Sequence, residues 1–216
     1  MTAAQAIRDS GLFTFREEPW HWLGHGVYFW QDAELRAFEW ALQRVQRDRK
    51  QGSLESQPAV VSATISLDAC LDLLDIRYWP IIDKAWSAVT KSNQEKGIEL
   101  PDQIAPAEAL LSDPAHKKRY GNNQKDCAAV NMAVQLLKEN GTPVTTARGA
   151  FMEGGGVFDD SWLRERSHVQ IAVVDPLAIP KIVTDVQIED SARLQLDYDE
   201  LCRHRPPDWQ RYMSED

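Results

Sequence analysis

The chain has 216 residues, 33 acidic and 24 basic side chains and a formal net charge of -9, enough length for one core or a core with a long insertion. That balance argues against a surface holding nucleic acid by bulk counterion release and leaves room for a local basic groove, for example around Arg164 and Arg166. No run of eighteen apolar residues and no charged-then-apolar leader is present, so neither a membrane span nor a secretion signal is expected.

In chain order, residues 3–8 read as a short helix stopped by Gly11, and 12–22 as an aromatic-rich loop. A strand is expected over 24–30. Asp32 then caps a helix running to about 46, with Leu35, Phe38, Leu42 and Val45 at helical spacing. A polar linker covers 47–57. The β-branched run 58–67 predicts a buried strand, and 68–74 a short helix. Residues 76–96 carry Trp79, Ile82, Trp86 and Val89 at helical spacing, followed over 97–114 by a loop with Pro101, Pro106 and Pro114 and a possible helical turn at 107–111.

A strong helix follows over 125–139, stopped by Asn140-Gly141. Strands are expected over 142–151, 167–174 and 182–188, with a glycine-rich loop at 152–162. Residues 191–216 are polar and acidic and read as a partly disordered tail. The late strands are joined by short turns, so antiparallel or mixed pairing in an α+β fold is expected rather than a regular βαβ array. Residues 1–190 form one domain on this reading, with 76–123 as a helical insertion. Cys70, Cys127 and Cys202 are widely spaced and fit reduced cysteines of a cytoplasmic protein.

The stretch Gly24-His25-Gly26-Val27-Tyr28-Phe29-Trp30 carries the strongest chemical signal. Two glycines permit close backbone approach to a ligand, and an aromatic ring on the following strand can stack on a flat heterocycle. The plain alternative is that Val27, Phe29 and Trp30 are core residues and Tyr28 is packing. This segment resembles the nicotinamide-stacking motif of the ADP-ribosyltransferase superfamily, in its poly-ADP-ribose-polymerase-like branch. Gly24, Gly26, Tyr28 and Phe29 fit the pattern Gly-x-Gly-Ile-Tyr-Phe, and Ala37 supplies the small residue nine positions after the tyrosine.

Two more segments fall in the family's order. The run from Ala63 to Leu73 is similar to the strand after the tyrosine helix. The run from Ser167 to Ile179, aligned on Asp175-Pro176 and Ile179, puts Gln170 where the family has a catalytic glutamate. Gly154-Gly155-Gly156 forms a loop before it. The resemblance implies a mostly antiparallel split sheet with flanking helices, and NAD as substrate with Gly24, Gly26, Tyr28, Phe29 and Ala37 around it. Tyr28 would stack on nicotinamide, backbone near Gly26 would bond its amide, and Gln170 would hold the ribose hydroxyl. Replacing Tyr28 by alanine is then expected to abolish activity with the fold intact.

There are two departures. The family usually opens with a strand ending His-Gly-Thr or His-Gly-Ser; only Met1 and Thr2 precede the first helix, and His21 and His25 lie too near Tyr28 to substitute. Gln170 keeps a hydrogen bond but lacks the charge that stabilises the oxocarbenium-like transition state, a change worth about a hundred- to a thousandfold in rate. His168 shares a strand face with Gln170, and Glu153 and Glu165 precede it, so His168 or Glu153 is expected to assist. Poly-ADP-ribose synthesis is not expected.

The implied activity is mono-ADP-ribosyl transfer to a protein or nucleic-acid acceptor, by analogy a bacterial toxin or defence effector with an inhibitory partner protein. Phe158, Trp162 and Arg164 are candidate acceptor contacts. The alternative is a degenerate, non-catalytic domain that binds ADP-ribose, NAD or a partner protein. A third, an unrelated α+β domain, predicts Tyr28 and Gln170 far apart. No metal is expected: His21 and His25 would share a helix face, but Gly24 and the following strand oppose a helix there. Cys127 opens an apolar helix and reads as buried and inert.

Overall fold

The computed structural model describes residues 2–100, 123–158 and 160–204. In chain order these form helix α1 (Ala3–Ser10), strand β1 (Val27–Gln31), helix α2 (Glu34–Lys50), strands β2 (Val61–Ile65) and β3 (Cys70–Asp72), and a 3-10 turn (Ile76–Tyr78) leading into α3 (Trp79–Lys96). Then come α4 (Gln124–Glu139), β4 (Thr146–Phe151), β5 (His168–Val173), the short α5 (Ile179–Ile182), β6 (Val183–Ile188) and α6 (Ser191–Arg203). The expected proline loop and the turn at 107–111 lie outside the described residues.

The strands divide into a four-stranded sheet ordered β1-β5-β4-β3 and a separate pair β2-β6. Only β3 and β4 run parallel; the other pairs are antiparallel. The architecture is mixed α+β. Alternation along the strands gives the larger sheet two distinct faces. Leu71, Ala147 and Ala172 lie on one and pack under α3 and α4 with Ala85, Val130 and Ala133. Val27 and Val173 lie on the other and pack toward β2, β6 and α5 with Ile65, Ile179 and Val183.

Local signals explain many boundaries. Thr2 and Gln5 form a reciprocal capping box on α1, and Gly11 closes that helix at φ +65°. Trp79-Pro80 opens α3, where a proline lacks no needed donor. Gly97 ends it in the left-handed region at φ +64°.

Several expectations are corrected. Residues 68–74 do not form a helix; Cys70–Asp72 is a strand beside β4, which lets Leu71 become fully buried. Asp32 does not cap α2: it sits at φ +50°, and Ala33 holds the cap position without a side-chain bond. The buried-strand reading of 58–67 is too strong. Within β2 every residue is half-buried or exposed, and the buried valine, Val60, precedes it. The polar tail contains α6, capped by Asp190, whose Leu194 and Tyr198 are buried against Phe38. Four-residue spacing gives Leu194 and Tyr198 one helix face, enough to dock an otherwise polar segment. No helix among the described residues is long and apolar enough to cross a membrane.

Candidate functional site

Register brings the expected site residues onto one face. Tyr28 pairs with Ala172 and Trp30 with Gln170 across β1 and β5. Across β5 and β4, Gln170 pairs with Gly149 and His168 with Phe151. Tyr28 and Gln170 are therefore diagonal neighbours on the same face of adjacent strands, a separation of roughly 7–8 Å. The ladder extends one more step, where the Arg166 N–H donates to the Glu153 carbonyl at 3.1 Å. Tyr28, Gln170, His168 and Glu153 thus follow one another along the sheet, from an apolar end to a charged one.

Tyr28 is tied down at its hydroxyl. It donates to the Gly24 carbonyl at 2.7 Å and accepts from the Leu23 N–H at 2.8 Å. Burial pushes its phenol well above the ordinary value, so the hydroxyl remains a donor. The His21 ring lies against it, centroids 4.6 Å apart. Next along the face, Leu23 is 1 % exposed and lies over Gly149, where an added Cβ would come within 3.0 Å of its side chain. Trp22 packs edge-on to Phe151 at 5.1 Å. Residues 17–24 therefore form a strap across the Tyr28–Gly149 part of the face.

These ties correct the expectation that Tyr28→Ala leaves the fold intact, because that change removes both strap bonds and a ring packed against the core. Tyr28→Phe keeps the ring and deletes only the hydroxyl. It is expected to lose about 1–3 kcal/mol, because the Leu23 N–H and Gly24 carbonyl forfeit their partner; chemical denaturation measures this, and an unchanged midpoint would show the bonds to be dispensable.

At the centre of the face His168 and Gln170 satisfy each other. His168 Nδ1 is 2.6 Å from the Arg166 carbonyl, which can only accept, so Nδ1 carries a proton. Nε2, 2.7 Å from Gln170 Nε2, then accepts from the amide. His168 is 7 % exposed, with the Trp30 and Phe151 rings beside it at 6.4 and 5.8 Å. The basic lone pair is thus already used, and acid–base work by His168 first requires the Gln170 amide to rotate away.

The charged end is a clasp built by α2. Glu39, 2 % exposed, accepts from Arg36 at 3.0 Å, from Arg166 Nε at 3.0 Å and from the Tyr198 hydroxyl at 3.4 Å. Arg36 also pairs with Glu153 at 2.7 Å. One helix thereby holds both stems of the glycine loop. Glu153 is committed to Arg36 rather than turned toward Gln170. Arg166 is buried on Glu39 and so is not open to a basic groove with Arg164. The loop between the stems presents Phe158 and Trp162, 65 % and 76 % exposed, to solvent.

The remaining motif residues separate. Gly24, at φ +80°, gives the chain room beside Asn131, and Gly26 lets β1 approach the Val173 carbonyl, 2.7 Å from where a Cβ would stand. The Gly26 N–H is spent on the Arg16 carbonyl at 2.9 Å. Phe29 points to the opposite face, edge-on to Phe13 at 5.2 Å. Ala37 packs in the cluster of Phe38, Val60, Leu194 and Tyr198. Gly26→Ala is expected to cost about 1–3 kcal/mol, since the atom it strikes is backbone of a central strand; thermal melting against wild type tests this, and an unaltered melt would contradict the close approach.

No family model, curated protein or solved structure matches this chain.

Neither of two cavities among the described residues is lined by Tyr28 or Gln170. One, about 350 Å³, lies among Arg36, Glu39, Glu165, Arg166, Tyr198 and Leu201. The other, about 410 Å³, lies among Cys70, Asp72, Arg77, Tyr78, Val144 and Arg148. In the second, Arg148 bridges Asp72 at 3.0 Å and Gln31 at 2.8 Å. Burial pushes the Cys70 and Cys127 thiols up. Among the described residues, no group of His, Cys, Asp and Glu is placed to hold a metal. Sequence reasoning missed Arg36, Glu39 and Tyr198. A signal existed for Glu39: it lies four residues after Leu35, beside the apolar stripe of its helix.

Proposed function

We propose that the chain is an ADP-ribosyltransferase-like domain whose donor site is the Tyr28–Gln170 face, and that it moves one ADP-ribose from NAD to a protein or nucleic-acid acceptor. The observation that carries this reading is the register. Residues 142 positions apart, singled out by separate motif segments, lie diagonally on one face of adjacent antiparallel strands. The division into a four-stranded and a two-stranded sheet is also what the resemblance implies.

In this reading the Tyr28 ring stacks on nicotinamide once the strap has moved, and the Gln170 amide turns from His168 to the ribose hydroxyl. The bond from ribose C1 to nicotinamide breaks, its electrons leave with nicotinamide, and an acceptor nucleophile closes on C1. The exposed Phe158 and Trp162 are positioned for acceptor contact.

A second reading, a non-catalytic binder of ADP-ribose, NAD or a protein, draws on a specific observation. Gln170 and His168 already satisfy each other, and the Gly26 N–H is occupied. Incubation with labelled NAD and a cell lysate, digested in parallel with nuclease or protease, separates the two. Label transfer that is lost in Gln170→Ala supports the transferase, and the digestion sensitivity identifies the acceptor class. Binding of NAD without transfer or nicotinamide release supports the binder.

A further inference from the structure

The strap over Tyr28 contains a histidine in an unusual setting. His21 Nδ1 is buried with no hydrogen-bond partner among the described residues, and its ring packs against Tyr28, centroids 4.6 Å apart and tilted by 55°. The rest of the strap is held by scattered single bonds. The His25 N–H donates to Asn131 Oδ1 at 2.9 Å, Asn123 Nδ2 donates to the Trp20 carbonyl at 3.3 Å, and the Cys127 thiol donates to the Glu18 carbonyl at 3.5 Å. The segment lies outside helix and strand, and Leu23 is its anchor in the core.

We propose that the strap of residues 17–24 is a proton-operated latch triggered by His21, closed over Tyr28 when that imidazole is neutral and released when it is protonated. Its consequence for donor binding rests on the function proposed above; the opening itself does not.

The electrostatics fix the direction. A proton on the buried ring adds a charge removed from water and gives Nδ1 or Nε2 a donor to place. On the strap and its flanks, Glu18 favours that proton while Arg16 and His25 oppose it. From β1 the ring meets the Tyr28 phenol, and from α4 the Cys127 thiol reaches the His21 backbone, neither of them charged near neutrality. Burial is the largest influence and holds His21 below the ordinary histidine value of 6.5. An opened strap returns His21 to that ordinary value. A base whose closed-state value is depressed stabilises the closed state fully above pH 6.5. That advantage is lost as pH falls from there through the closed-state value, by up to about tenfold in the opening constant per pH unit.

Hydrogen exchange of the full chain tests this. The Leu23 amide reports the strap and the His25 amide its flank, since they donate to Tyr28 and Asn131, and the Ala172 amide reports the sheet. After correction for intrinsic rates, protection at Leu23 and His25 is expected to fall between about pH 7.5 and pH 5 while Ala172 holds. In His21→Phe, which keeps a ring on Tyr28, that fall should vanish. Unchanged Leu23 and His25 protection in wild type would overturn the latch, as would an equal fall in His21→Phe. If the strap opens and added nicotinamide neither lowers Leu23 protection further nor changes tryptophan fluorescence, the latch stands and the donor-site reading fails.

Discussion

Gln170→Glu is expected to raise the rate of nicotinamide release from NAD by about a hundred- to a thousandfold. The site of the change is half-buried on β5, diagonal to Tyr28 and bonded to His168. On the function proposed above, a carboxylate there would supply the negative charge that a developing oxocarbenium ion would lack beside an amide. It also alters His168. The present amide donates to Nε2, whereas a carboxylate only accepts, so Nε2 must carry a proton while Nδ1 keeps its bond to the Arg166 carbonyl. The variant therefore creates a charge pair on the Tyr28 face and frees neither member to wander. Nicotinamide release measured by chromatography gives the answer. A rate no higher than wild type, in a protein with an unchanged melt, would count against a donor site on this face.

Glu39→Ala is expected to destabilise the fold by about 3–5 kcal/mol. Glu39 is almost fully buried and gathers Arg36, Arg166 and Tyr198, which come from α2 itself, the stem before β5 and α6. Its removal leaves guanidinium groups in a site built for a carboxylate. Breaking one member of such a cluster costs far more than the pair gains over water, because the desolvation of the survivors is no longer offset. The exposed Glu34–Arg193 pair is the natural comparison: its 2.8 Å contact lies in solvent, so Glu34→Ala should leave the denaturation midpoint nearly unchanged. Urea unfolding of the two variants decides the matter. Equal midpoints would mean that the clasp contributes no more than a surface pair.

The elements legible in the sequence are those whose signal is local. The apolar stripe of α4, the glycines and tyrosine of β1 and the β-branched run of β5 declare themselves within a dozen residues. The diagonal pairing of Tyr28 with Gln170 was also within reach, because it follows from two motif segments and a preference for antiparallel strands. By contrast, Cys70–Asp72 is a strand only because β4 runs beside it. Its own residues, Asp-Ala-Cys-Leu-Asp-Leu-Leu, suit a helix as well. The Glu39 clasp joins groups up to 159 residues apart. The strap was missed for a related reason: Leu23 becomes core only because Gly149, on another strand, leaves it a seat. Ala37 marks the opposite failure, a motif match that packs into the α2–α6 cluster instead of beside the tyrosine.

The most direct measurement is a titration of NAD into isotope-labelled protein, followed by NMR at the Gln170 side-chain amide, the Trp30 indole and the Leu23 backbone amide, at about pH 7.5 and about pH 5.5. The account predicts saturable shifts concentrated at those signals, with tighter binding at the lower pH where the strap is released. Shifts gathered instead around Cys70 and Arg148, or none at any NAD concentration while the protein stays folded at both pH values, would contradict a donor site on the Tyr28–Gln170 face.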